Sequence, residues 1–294
     1  MIAKPIPVPS TTTCLPPLFE ETKNGPERRL FQKAGVIGND VWEMAEKLMT
    51  IIEEICTLNP WFASLDPEIQ KELCEDISIR PLSKDEFLYR QGQAITHIAI
   101  VRSGSLWAER SSSEGRNHVM AVMGPGFLGH VEWLVADTRS RYDVRASSIS
   151  EVFILPLDGI RACLARSPEL QRGVLELLAR SHALLEEFQF VMAVYGNLEK
   201  VAWFLSIAVS GYCGLCKPNR VVPVSQMIIA ENMAMSRQTI NRMIRELSDA
   251  KTIVARREHI EVLDPAALDG ICSFRQEMFL RDFPEHRDLP RDGG

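Results

Sequence analysis

No apolar run in this chain approaches the roughly 20 residues that a helix needs to cross a bilayer, so no membrane-spanning helix and no membrane partner are expected. The stretch from Met1 to Pro17 is proline-rich and lacks the order of a secretory signal, a charged start followed by an apolar segment. A cytoplasmic location is therefore expected. Cysteine is sparse and unpatterned: seven residues, at 14, 56, 74, 163, 213, 216 and 272, are odd in number and scattered, which argues against a disulfide framework and suits a reducing compartment. Catalytic signatures are missing too. There is no nucleophile elbow, phosphate-binding loop or metal-protease motif, which leaves an enzyme reading without residues to carry it.

Positive charge is also in short supply, since the 294 residues carry a net charge of -6. Its distribution matters more than its sum. Between Lys217 and Leu263 eight basic residues stand against five acidic ones, a local balance of +3 on an otherwise acidic chain. A basic end on an acidic body is the footprint of a DNA-binding domain attached to a sensory or assembly domain.

What the chain does contain divides it into five parts. Residues 1–40 hold six of the seventeen prolines and little periodicity, which predicts a disordered arm. Residues 41–167 open with two helical patterns separated by Asn59-Pro60 and continue as short β-prone runs. Gly92, Gly104, Gly115, Gly124, Gly126 and Gly129 punctuate those runs, as in a compact antiparallel barrel or roll. Residues 168–196 form a long helix in which Leu170, Val174, Leu177, Ser181, Leu184, Phe188, Val191 and Tyr195 alternate spacings of four and three. Such a seam either packs on the roll or, more naturally for its length, meets its symmetry mate in a dimer. Residues 197–268 are expected to be a winged helix-turn-helix, and 269–294 a charged tail.

The most informative segment runs from Ser225 to Leu247. Ser225 and Ser236 both stand where a hydroxyl caps a following helix, and the eleven residues between them leave room for two turns and a corner. Ile229, Met233, Ile240, Ile244 and Leu247 can pack the two helices together, with Ala234 a tolerable small residue in the turn. On the other face Arg237, Gln238, Asn241, Arg242 and Arg245 recur at helical spacing, where Arg and Gln can read guanine and adenine edges. Ser236 and Thr239 would hold phosphates. The run from Ile253 to Leu263, with Arg256-Arg257-Glu258 at its centre, has the form of a wing.

Roll, long helix and winged helix-turn-helix, in that order, resemble the cyclic-AMP receptor protein / fumarate-nitrate regulator (Crp/Fnr) superfamily of bacterial transcription regulators. The resemblance spans about residues 45 to 268 and is carried most specifically by Met235-Ser-Arg-Gln-Thr-Ile-Asn-Arg242, similar to the family's recognition-helix pattern. In the roll, Arg90-Gln-Gly92, Arg102-Ser-Gly104 and Gly126-Phe-Leu-Gly129 look like the family's turns. The resemblance implies an α+β fold with an N-terminal cyclic-nucleotide-binding-like β-roll, a long dimerisation helix and a C-terminal winged helix-turn-helix. It also implies a homodimer on a palindromic double-stranded operator, and RNA polymerase as a further partner.

Where the family's recognition helix has Glu, Gln238 exchanges an acceptor suited to cytosine for a pair suited to adenine. Members that bind cyclic AMP follow the Phe-x-Gly turn with Glu; here Gly129 is followed by His130. Their Arg-Ser phosphate clamp aligns, without gaps, with Ser140 and Arg141, beside Arg139, and a one-residue shift turns extended side chains to the opposite face. The positions that meet the base correspond to Leu185 and Glu186. Ordinary cyclic AMP is accordingly not the expected effector, and the cofactor stays unassigned. An N-terminal iron-sulfur cluster is not expected either, because Cys14 stands alone there.

The leading expectation is a homodimeric DNA-binding regulator controlled through its roll. Three alternatives stay open: an effector-independent regulator of this fold, a haem or thiol redox sensor, and a cyclic-nucleotide-binding module without a DNA role. Cys213-x-x-Cys216 would serve a thiol switch or half a zinc site, and His118, His130 or His182 would ligate haem. Structural roles are the commoner outcome for each.

Overall fold

Asn59 and Pro60 break the first helical segment for a specific reason. The Asn59 side chain accepts the Phe62 amide at 2.7 Å, and Pro60 occupies the first turn, where no amide partner is needed. In the computed structural model, which describes residues 39–111, 114–115, 117–136, 139–214 and 216–274, this gives α1 (Asn39–Leu58), a single turn α2 (Pro60–Ala63) and α3 (Pro67–Cys74), the last capped by Asp66. The proposed arm before Asn39 and the tail beyond Phe274 lie outside the described residues.

Two sheets form the roll. One has the order β1 (Ser78–Leu82), β7 (Ser150–Pro156), β3 (His97–Ser103); the other has β2 (Phe87–Tyr89), β6 (Asp143–Ala146), β4 (Leu106–Ser111), β5 (Asn117–Met123). All their pairings are antiparallel. β1 is not announced by a β-prone run and contains Pro81, which an edge strand tolerates because no ladder donor is missed. Ile98, Ile100, Leu106, Val152, Phe153 and Leu155 are buried in the roll's core.

Asn59 also ties the helices to the roll, since its Nδ2 donates to the Gly126 carbonyl at 2.9 Å in a buried bond. Gly126 adopts φ +83°, and an added Cβ would overlap the Leu58 carbonyl oxygen. Backbone strain and a backbone clash coincide there. Gly126→Ala should therefore destabilise the protein by about 3 kcal/mol, read as a lower urea midpoint. A midpoint equal to the wild type would mean that the turn relaxes.

After β7 come α4 (Leu157–Arg166) and the long α5 (Pro168–Val194), whose Ser167 cap accepts the Leu170 amide at 3.1 Å. The chain itself covers much of the expected dimer seam. Leu170, Val174 and Leu177 are 2% exposed or less and belong to the roll's own core, while Val191 is fully buried against the C-terminal domain. Leu184, Phe188 and Tyr195 are partly buried there, and the Phe188 ring lies 5.9 Å from Trp203. The reason is general: an apolar stripe specifies that a surface must be covered, not whether the cover comes from the same chain.

The C-terminal domain begins with α6 (Asn197–Val209), an apolar helix buried nearly all round from Val201, and a short α7 (Gly211–Gly214). β8 (Val221–Val222) leads to α8 (Gln226–Asn232) and α9 (Arg237–Asp249), then to β9 (Ile253–Ala255) and β10 (Ile260–Val262), with β10 central in the order β8-β10-β9. A further helix, α10 (Pro265–Cys272), runs across the boundary placed at 268/269. Its Leu268 and Cys272, with Phe274 beyond it, are buried in the domain core, so the domain continues to at least Phe274.

Candidate nucleic-acid interface and sensor cavity

The reading head is built from its two caps. The Ser225 hydroxyl faces the Ile228 amide at 3.4 Å, and the Ser236 hydroxyl accepts the Thr239 amide at 3.1 Å. A cap of this kind contributes about 1 kcal/mol to its helix. Between the helices the chain turns at Ala234, which takes φ +51°, and Met235 donates to the Ala230 carbonyl at 2.9 Å. Ile229, Met233, Ile240, Ile244 and Leu247 are all at most 2% exposed and belong to one cluster.

With that face buried, Arg237, Gln238, Asn241, Arg242 and Arg245 are left exposed on the other side of α9, together with the Ser236 cap; Thr239 is half-buried. Among the described residues Arg237 reaches only the Met227 sulfur, 3.3 Å from its Nη2. The helix start, with its unpaired first amides, and these donors can meet a phosphate backbone and base edges together. The wing tip carries exposed Arg256 and Arg257, closed by the Arg256 amide donating to the His259 carbonyl at 2.9 Å. Its Glu258 lies 3.7 Å from Lys84 on the roll, an exposed ion pair of little energetic weight.

The head rests against the roll through buried polar contacts. Asn232 at the end of α8 donates to the Val119 carbonyl on β5 at 2.8 Å, and the Tyr212 hydroxyl donates to the Val122 carbonyl at 2.6 Å. Burial pushes the Tyr212 phenol well above its ordinary range, so this donor keeps its proton. Tyr212 also meets Phe127 edge to face at 5.2 Å.

Beside this junction lies a cavity of about 480 Å³, walled by β5, by α5 and by the α6 residues Trp203, Phe204 and Ile207. Of the seven effector candidates read from the sequence, only His130 and Leu185 line it. Gly129 faces a small void inside the roll. Arg139 turns outward and donates to the Gly92 carbonyl at 2.9 Å. Ser140 is buried but spends its hydroxyl on the Tyr142 carbonyl at 2.6 Å. Arg141 is 63% exposed and lies 3.6 Å from Glu132, and Glu186 is exposed beside His182 at 3.7 Å. The three residues do not converge as a phosphate clamp: Arg139 is spent on Gly92, Ser140 on Tyr142, and the Arg141 guanidinium pairs with Glu132 at the cavity edge.

His130 takes a left-handed backbone, φ +61°, and its ring is stacked between Trp133 at 4.1 Å and Tyr142 at 5.3 Å. Its Nδ1 lies 3.5 Å from Glu132. Burial alone would raise the Glu132 carboxyl, but the hydrogen bond and charge of His130 and the charge of Arg141 outweigh it and hold the group below the usual carboxylate range. His118 lines the same cavity, whereas His182 stands on the exposed side of α5.

Cys216 is buried, and burial pushes its thiol up to about 12, so at neutral pH it stays protonated and is a poor nucleophile. The Cys213 side chain lies outside the described residues.

Sequence reasoning missed Met120, Phe127, Trp203, Phe204 and Asn232 as neighbours in one site, because they converge from separate elements and share no spacing. It also missed a second stripe on α5. Leu175, Leu178, His182, Leu185 and Gln189 recur at steps of three and four on the face that flanks the buried seam, with Leu175 64% and Leu185 59% exposed. That stripe was legible in the spacing, but the longer apolar seam beside it masked it.

Comparison with known proteins places both halves. A cyclic nucleotide-binding domain model matches residues 79–167, and a Crp-like helix-turn-helix domain model matches residues 199–271. The chain is similar to the transcriptional activator protein Anr of Pseudomonas protegens, at 23% identity over 196 residues that cover 66% of this chain and 80% of Anr. It is similar too to the nitrogen fixation regulation protein FixK of Rhizobium meliloti, at 26% identity over 63% of this chain and 83% of FixK. The solved structure of FixK2 from Bradyrhizobium japonicum superposes with a TM-score of 0.58 at 15% identity, over 68% of this chain and 98% of FixK2.

Proposed function

Because the chain belongs to the Crp/Fnr family of DNA-binding transcription regulators, we propose that it acts as a homodimer whose two α9 helices read the halves of a palindromic operator under control of a signal sensed at the roll. The observation that carries the reading is the exposed polar face of α9, capped by Ser236 and backed by a fully buried apolar face. Arg237, Gln238 and Arg242, on its first turn and a half, are the base-reading residues. Ser236, Thr239, Asn241 and Arg245 set the register on the phosphates and groove walls.

The dimer forms through the stripe Leu175, Leu178, His182, Leu185 and Gln189 of α5, exposed except for the half-buried Leu178, since most of the other stripe is already covered by the chain itself. A two-fold axis along α5 then spaces the two reading heads about one helical turn of DNA apart. No helix among the described residues is long and apolar enough to cross a membrane, and a site of action at cytoplasmic DNA, with RNA polymerase as a further partner, follows from this function.

Selection of binding sites from a random duplex pool tests the reading. The wild type should yield a two-fold symmetric consensus, and Gln238→Glu should change one base pair in each half-site from a preference for adenine to one for cytosine, at about 1–3 kcal/mol of discrimination. An asymmetric consensus would remove the dimer, and identical consensus sequences for both proteins would remove Gln238 from the base-reading set.

A further inference from the structure

We propose that the cavity between the roll, α5 and α6 binds an uncharged, ring-bearing small molecule rather than a cyclic nucleotide or another phosphate ester. The proposal rests on the regulator reading above, because it names the class of signal that the sensing half would take.

Size and shape come first. About 480 Å³ is within the range of small-molecule sites, and Phe127, Phe188, Trp203 and Phe204 contribute ring faces from three different segments. Aromatic walls favour a flat, apolar guest through offset and edge contacts.

Charge then excludes the family's usual guest chemistry. Among the described residues that line the cavity there is no lysine or arginine, and Glu132, held in its ionised range, is the one carboxylate. A phosphate placed in such surroundings would be desolvated without a cationic partner and close to a like charge. Arg139 donates to the Gly92 carbonyl instead, and Arg141 does not line the cavity, its guanidinium being paired with Glu132 at the edge.

Two polar atoms remain to orient a ligand. Nε2 of His130 and Nε1 of Trp203 are buried and have no hydrogen-bond partner among the described residues, although their side chains line the cavity. The His130 side chain is 10% exposed and Trp203 4%. A buried polar group without a partner is uncommon in folded proteins, and a guest with one hydroxyl or carbonyl would satisfy it. The guest is therefore mostly apolar with one or two neutral polar groups.

Its position ties ligand to output. Met120 and Phe127 belong to the roll, whereas Trp203, Phe204 and Asn232 belong to the DNA-binding domain. A molecule touching both sets binds the docked arrangement more tightly than a separated one, and so shifts the population toward it.

Full-length protein titrated with N-phenyl-1-naphthylamine, an uncharged aromatic amine that fluoresces in apolar surroundings, provides the test. One probe per chain should bind, quench tryptophan emission and remain bound in millimolar cyclic AMP. Ala121→Phe and Ser181→Leu, which fill the cavity from β5 and from α5, should each weaken probe binding roughly tenfold or more without lowering the thermal midpoint. Absence of uptake, uptake indifferent to both substitutions, or displacement by micromolar cyclic AMP would each overturn the proposal. Operator binding measured on the same preparation separates the two readings: a protein that binds operator but not probe loses only the ligand class, and one that binds probe but no DNA loses only the regulator function.

Discussion

Replacing Arg237 and Arg242 together by alanine should lower affinity for the selected operator by roughly 10²–10³-fold, because each bidentate arginine-to-guanine contact is worth about 1–3 kcal/mol of discrimination. Both positions are exposed on α9, and neither belongs to the cluster that holds the domain together. The thermal midpoint should accordingly stay close to that of the wild type, as for other surface changes away from packed features. Loss of base reading and loss of phosphate contacts are told apart by measuring a scrambled duplex at the same salt. Base reading narrows the ratio between operator and scrambled DNA, whereas phosphate contacts lower both affinities alike. An unchanged ratio would show that the specificity lies elsewhere, with Gln238 and Asn241 the next residues to examine.

The second large effect concerns assembly. Leu175→Asp with Leu185→Asp places two charges on the exposed stripe of α5, and should convert the dimer to a monomer in sedimentation at micromolar concentration. Operator affinity should fall by about 10²–10⁴-fold, the advantage lost when two linked half-site contacts become independent. Val174→Asp is the informative contrast, since Val174 is 1% exposed inside the roll's own core. That substitution should unfold the protein by burying an unpaired charge, instead of separating two folded chains. A Leu175→Asp, Leu185→Asp protein that sediments as a dimer would reject this face as the interface.

These two predictions mark how unevenly the molecule could be read from its residues. The helix-turn-helix was legible almost completely. Ser225 and Ser236 cap the helices that their positions announced, the apolar set meets in the core, and Arg256-Arg257-Glu258 forms the wing tip between β9 and β10. The roll was legible in its turns but not in its edge strand, because Pro81 and the charged Arg80 disguise β1. The cavity beside α5 and α6 was scarcely legible. Five of the seven effector candidates do not line it, since the orientation of Arg139, Ser140 and Arg141 depends on hydrogen bonds to Gly92 and Tyr142 and on the charge of Glu132.

Determined by sequence alone were the helix starts, the polar reading face of α9, the glycine turns of the roll and the order of the parts. Each of these depends on a few neighbouring residues, through capping, periodicity or a positive φ, and so is written locally. Only the tertiary structure decided that Leu170, Val174 and Leu177 serve the chain's own core, that Leu175 and Leu185 stay uncovered, and that β5, α5 and α6 wall one open cavity. Apolar burial is non-directional, so a stripe states its need for cover without naming the surface that supplies it.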